Sequence, residues 1–297
     1  MATKTFTVRF YAGVLALPTE DEEGDGTQAK YLSIPGILSA IAAKPAVGLK
    51  DGGEMYFLRD IKSWNNNKTF SAVFGKLRMS DLPHISDDRG NEHELNLKVD
   101  EGLIEKNYLI YMGEKNLLIF QENSYAGRTS RLAQYLTDFA GLTVEFGPII
   151  KADSMRRFMR GGVELRKFDL SVAKPTNPTM FPSDNFSAGM MQLLSSAQGA
   201  TLGVHMSANL PGARGNSFGI RTKQLLQKMV TGGFAKRAVV EVKEGNETFL
   251  IDLLADQISA KRDMQMVGRY PDPAKVFAEL EKARQEVSSE LREHFGN

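Results

Sequence analysis

The stretch SMRRFMRGGVELRKFDL, Ser154 to Leu170, holds Arg156, Arg157, Arg160, Arg166 and Lys167, in a chain of 297 residues whose formal net charge is only +1. At about 100° per residue, Met155, Phe158 and Met159 share one side of a helix, and the first three arginines share the opposite arc. The chemistry open to that arc is anion recognition, because a guanidinium presents a planar fork of donors that matches phosphate oxygens. Three arginines with no acid three or four residues ahead on the helix repel one another unless something negative relieves them. The plain alternative is a solvated arginine face. Ser154 or Asp153 is placed to cap the helix and Gly161-Gly162 to end it.

Arg166 and Lys167 carry the basic patch onto an expected strand, GGVELRKFDLSVAKP. Further on, LPGARGNSFGIRTKQLLQKMVTGG reads as a glycine-rich loop entering a helix whose buried side is Leu225, Leu226, Met229 and Val230. Arg214 in that loop, then Arg221, Lys223 and Lys228, then Lys236 and Arg237 complete the candidate phosphate contacts. PGARGNS matches neither the Walker pattern nor the dinucleotide fingerprint, so alone it reads as a connection. Counting by segment isolates the block: residues 151–237 carry a net +9, against −4 in 1–150 and −4 in 238–297. Such asymmetry points to a polyanion partner, or to acids elsewhere in the same fold. Phe158, Phe168 and Phe234 interleave the block, where they serve either as stacking platforms for unpaired bases or as ordinary core.

Other chemistries find less support. Glu241 and Lys243 give the E-x-K spacing of metal-dependent nucleases, but no Asp or Glu lies between Asp184 and Glu241 to complete a metal site. His84 and His93 flank Asp87 and Asp88 in PHISDDRGNEHE, which reads as a polar loop rather than a metal cluster. His205 in TLGVHMSA reads as a core histidine. With no cysteine, no G-x-S-x-G and no H-E-x-x-H, nothing marks a catalytic nucleophile, a metal site or a cofactor.

The elements that must position these residues are expected as strands near 5–15, 54–61, 69–78, 103–112, 115–122, 142–150, 163–173, 200–207, 236–243 and 248–253. Helices are expected near 33–43, 129–140, 153–160, 184–198, 216–231 and 272–295. The fold class is α+β: mainly antiparallel sheets with helices packed on them, in two lobes. The domains would be 1–150 and 151–297, the second carrying the basic block and the terminal helix. LIYMGEKNLLIF turns at Gly113-Glu114-Lys115, and AVVEVKEGNETFLIDLL turns near Gly245-Asn246. EDEEGDG at 20–26 is an acidic loop, and TNPTMFPSDN at 176–185 is a proline-bearing connection. The terminal helix carries Val276, Leu280, Ala283, Val287 and Leu291 as an apolar seam, which docks on its own domain or joins two copies.

The start MATKTFTVRFYAGVLALP alternates polar and apolar residues and does not read as a signal peptide. No apolar run approaches the ~18 residues of a membrane span. A cytoplasmic protein is the expectation.

Several stretches, in order, resemble a known family: FYAG followed by YLSIPGILSAI, then LIYMGEKNLLIF, RTSRLAQYLTDF and MRGGVELRKFDLSVAKP. Together they look like the RexA-like phage-exclusion proteins, with a similar likeness to the KwaB component of the Kiwa defence system. The resemblance implies an intracellular, dimeric protein that binds DNA without sequence preference and acts in anti-phage defence. Of the candidate contacts, it reaches Arg160 and the strand that follows. Residues and resemblance together point to a DNA-binding protein that is not an enzyme, contacts the phosphate backbone and forms a homodimer, with a partner protein in a defence system as a further expectation. The alternatives are a metal-dependent nuclease, or an interaction module whose basic face docks an acidic protein or its own acidic flanks.

Overall fold

The computed structural model describes residues 3–16, 31–44, 47–51, 54–175, 178, 181–208, 216–268 and 270–296. The acidic loop 20–26, the loop segment carrying Arg214 and part of the 176–185 connection lie outside the described residues.

The chain opens with β1 (Thr3–Leu15), α1 (Ile34–Ala42), β2 (Leu49–Asp51), β3 (Glu54–Trp64) and β4 (Thr69–Arg78). A small hairpin of β5 (Ile85–Ser86) and β6 (Glu92–His93) precedes β7 (Leu103–Met112), β8 (Leu117–Glu122), α2 (Thr129–Ala140) and β9 (Val144–Pro148). There follow α3 (Ala152–Met159), β10 (Val163–Ala173), α4 (Asn185–Ser196), β11 (Thr201–Ser207), α5 (Ile220–Thr231), β12 (Ala235–Glu244) and β13 (Glu247–Asp252). Last come β14 (Ser259–Val267), β15 (Tyr270–Pro271), α6 (Pro273–Glu286) and α7 (Ser288–Phe295).

These elements make an α+β fold of antiparallel sheets, as the sequence indicates. The larger sheet has nine strands in the order β15-β14-β1-β8-β7-β4-β3-β2, with β9 also paired to β1. Its central strands are buried on both faces, which is why YLIYM and LLIFQ read as continuous apolar runs. One face packs Tyr11, Phe74 and Phe120 against Ile37 of α1 and Leu132 of α2. The other packs Val8, Phe10 and Ile119 against Val276 and Leu280 of α6 and Leu291 of α7. The second sheet, β11-β10-β12-β13, has a separate core in which Leu165, Phe168 and Val240 meet Phe158 of α3 and Leu226 and Met229 of α5.

The chain leaves the larger sheet at Ile150 and rejoins it at Ile258, and the two crossings are bonded together. Lys151 N–H donates to Asp256 O at 2.9 Å, and Ile258 N–H donates to Ile149 O at 2.8 Å. Residues 259–295, grouped by sequence with the C-terminal half, therefore supply an internal strand and two helices to the sheet begun by β1. β14 was not among the expected strands. Within SAKRDMQMV only Ala260 and Met264 are buried, too sparse an alternation to signal a strand.

Two further expectations are corrected, the unbroken terminal helix and the core placement of His205. The terminal helix breaks at Val287 into α6 and α7, and its seam is taken up by its own sheet, with Val276, Leu280 and Ala283 fully buried. The seam therefore offers no surface for a second copy. His205 is exposed on β11, an edge strand, and is not a core residue.

Leu280→Ala should therefore cost about 2–5 kcal/mol of folding stability, measured by denaturant unfolding. An unchanged midpoint would contradict the docking of α6 on the sheet.

Candidate functional site

The arginine helix has the expected amphipathic form. Phe158 and Met155 of α3 are buried in the second core, while the side chains of Arg156, Arg157 and Arg160 are 65%, 52% and 56% exposed. The repulsion inferred from their spacing is relieved by carboxylates. Arg156 pairs with Asp153, one turn earlier, at 3.1 Å and with Glu293 of α7 at 2.5 Å. Glu244, at the end of β12, pairs with Arg157 at 3.6 Å and with Arg160. The Arg157 guanidinium also lies 4.0 Å over the ring of Phe249 in β13. The helix lacks a side-chain cap, and neither Ser154 nor Asp153 serves as one.

The rest of the basic block divides sharply. Arg166 is buried and not available to DNA. It is the extra residue of a bulge between Leu165 and Lys167, which turns its side chain inward, where Nη1 donates to Asn216 O at 2.6 Å and Nη2 to Glu164. That bulge also explains why VELRKFDL fails to alternate cleanly. Lys223 is buried as well: its ammonium donates to Phe158 O at 2.7 Å and Val163 O at 2.6 Å, closing the carbonyl end of α3. Burial holds its pKa below the ordinary lysine value. Its spacing of three from Leu226 and seven from Val230 already placed it on the buried stripe of α5.

Lys167 pairs with Glu241 at 2.9 Å, and Arg237 with Asp169 at 2.9 Å. The carboxylate of the E-x-K motif is thus engaged by a lysine. Among the described residues, no three His, Cys, Asp or Glu side chains converge as a metal site requires. Arg221 and Lys228 are exposed on α5 beside Phe186 and Phe218, and neither makes an ion pair with a described residue. Phe158, Phe168 and Phe234 are core residues, so none stands beside the arginines as an exposed stacking platform; Phe234 keeps an 8% exposed edge, which lines the cleft described next.

Lys236 belongs to a different place. It stands on the wall of a cleft of about 710 Å³ where β1, β8, the start of α2, β9 and the segments 173–175 and 232–236 meet. Gly147 permits the junction: a Cβ there would fall 2.1 Å from the carbonyl oxygen of Thr231 at the end of α5. Inside, Arg9 Nε donates to Glu122 at 2.7 Å and Nη1 to Gln257 Oε1 at 2.6 Å. Tyr11 reaches Glu122 at 3.4 Å, and its pKa is pushed up to about 12, by burial first and the Glu122 charge second. Sequence reasoning missed this cleft. Its cations come from separate segments, and Arg128 falls in the stretch whose net charge is negative.

Residues 1–285 match the model of a family described as a family of unknown function (DUF6731), and the chain belongs to that family. No curated protein matches it. No helix among the described residues is long and apolar enough to cross a membrane.

Glu145, on β9 in the same cleft, has its pKa raised by burial from 4.5 to about 7. Below pH 4.5 the folded and unfolded chains both carry the proton. Between about 4.5 and 7 the unfolded chain has lost it while the folded chain keeps it, so folding stability falls as pH rises, then levels off. Glu145→Gln should flatten this fall, by about 1–2 kcal/mol between pH 5 and pH 8 after solvent screening, as read from urea unfolding. Parallel pH profiles for the variant and the unaltered protein would contradict it.

Proposed function

We propose that the protein binds the phosphate backbone of nucleic acid without sequence preference through the arginine face of α3, and that it acts in cytoplasmic anti-phage defence. The observation that carries the reading is the exposure of three guanidinium groups, two on α3 and one at its C-cap, Arg160, with the helix anchored by buried Met155 and Phe158. Their carboxylate partners are surface pairs worth about 0–1 kcal/mol each, which a run of phosphates can displace with release of condensed counterions. The RexA-like stretches noted above support the biological setting. Arg221 and Lys228, which make no ion pair with a described residue, supply further charge on the same basic segment.

A second reading rests on the same ion pairs. Arg156 ties α3 to α7 through Glu293, and Arg157 and Arg160 tie it to β12 through Glu244, so the arginines act as clamps between elements.

Gel-shift titrations separate the two. Under the nucleic-acid reading, unrelated duplexes bind with similar affinity at low salt. Replacing Arg156, Arg157 and Arg160 together by alanine then weakens binding on every sequence and makes the log–log salt slope shallower by at most about 2.7 units. Glu244→Gln frees two guanidiniums and should tighten binding, while thermal stability of both variants shifts by no more than about 1 kcal/mol. A triple variant that unfolds early while the Glu244 variant gains no DNA affinity would establish the clamp instead. Salt-insensitive binding, or none at low salt, would overturn the proposal.

A further inference from the structure

The cleft gathers cations that make no ion pair with a described residue: Lys4 of β1, Arg128 at the head of α2, Lys174 just past β10 and Lys236 of β12 all line it. Of the two carboxylates on its walls, Glu122 is bound to Arg9. The other, Glu145, has its pKa raised by burial to about 7. A concave surface with this balance focuses positive potential. The strain is felt locally: loss of solvent, and then the charge of Arg128, hold the Lys236 ammonium below its ordinary pKa. The α2 helix also begins here. Its N-cap residue is Arg128 itself, no side chain caps the first turn, and Thr129 and Ser130 face the cleft. The partial positive end of the helix dipole therefore adds to the two side-chain charges.

Two cations lining one cleft, one of them at a helix start, suit a phosphate group with several acceptor oxygens. The remaining surface is of another kind. The edges of the largely buried Phe120, Phe146 and Phe234 contribute apolar wall, Tyr125 is 72% exposed, and Gln257 supplies a polar edge. At about 710 Å³ the space lies within the usual range for small-molecule sites, about 300–1,000 Å³, and is too small for a duplex. We propose that this cleft binds a phosphorylated small molecule of mononucleotide size, with its phosphate held by Arg128 and Lys236 at the start of α2 and its ring against the aromatic wall. This site is separate from the arginine face of α3.

Isothermal titration calorimetry on the full chain at low salt tests it, with the four ribonucleoside 5′-monophosphates, the matching nucleosides and inorganic phosphate as probes. At least one monophosphate should bind, and its nucleoside should bind at least about 10-fold more weakly, since each charge-assisted hydrogen bond is worth roughly 1.5–3 kcal/mol. Arg128→Gln and Lys236→Gln should each weaken binding by about 10-fold or more without lowering the thermal midpoint, because neither side chain makes an ion pair with a described residue. Lys115→Gln, in the turn between β7 and β8, should leave it intact, and so should the triple alanine variant of α3. Four outcomes would overturn the proposal: no binding of any monophosphate up to millimolar concentration, equal binding of nucleoside and nucleotide, inorganic phosphate binding as tightly as the nucleotide, or unchanged affinity in the Arg128 and Lys236 variants.

Discussion

Strand β1 is hydrogen-bonded along both edges, and the rest of the molecule is arranged around that fact. One edge takes β8; the other takes β14 along Thr3–Arg9 and then β9 along Tyr11–Leu15. Buried backbone donors and acceptors must be paired, so the first strand of the chain stays incomplete until residues far downstream arrive. Its side chains alternate accordingly. Val8 and Phe10 enter the core under α6 and α7, while Arg9 and Tyr11 point to the opposite face, where the cleft opens.

Because β9 and β14 share one edge of β1, the chain between them must leave the sheet and come back beside its point of departure. The bonds joining Ile149, Lys151, Asp256 and Ile258 mark that neck. The second sheet with α3, α4 and α5 is built on the excursion, and the contact of Gly147 with Thr231 seats it against β9. The cleft follows from this arrangement, since it occupies the angle between an edge of the large sheet and the inserted unit.

Charge shows the same dependence on tertiary contact. The +9 segment is answered by Glu241, Glu244 and Glu293, all drawn from the C-terminal stretch whose net charge is −4. Of that segment's cations, Lys174 and Lys236 at the cleft and Arg221 and Lys228 on α5 make no ion pair with a described residue. A tally along the chain finds an excess of cations; only the fold shows which of them already have partners. Exposed pairs are weak and exchangeable, so the α3 face keeps its reactivity toward anions, whereas Arg166 and Lys223 are committed to holding the bulge of β10 and the end of α3.

The sequence by itself determined the local elements. The apolar runs of β7 and β8, the glycine stop of α2 at Gly141 and the stripe of α3 appear in the structure close to where periodicity placed them, because short-range sterics and burial of one face govern such features. The arc of Arg156, Arg157 and Arg160 was legible for the same reason. Tertiary structure alone decided which strand joins which, so β14, with two buried residues to announce it, acquired its identity from β1. It also decided that the terminal seam faces inward, that the bulge buries Arg166, and that Arg128 and Lys236 line one cleft. Pairing over long separations is set by backbone hydrogen-bond completion and shared burial, and neither leaves a periodic trace in the segments it joins.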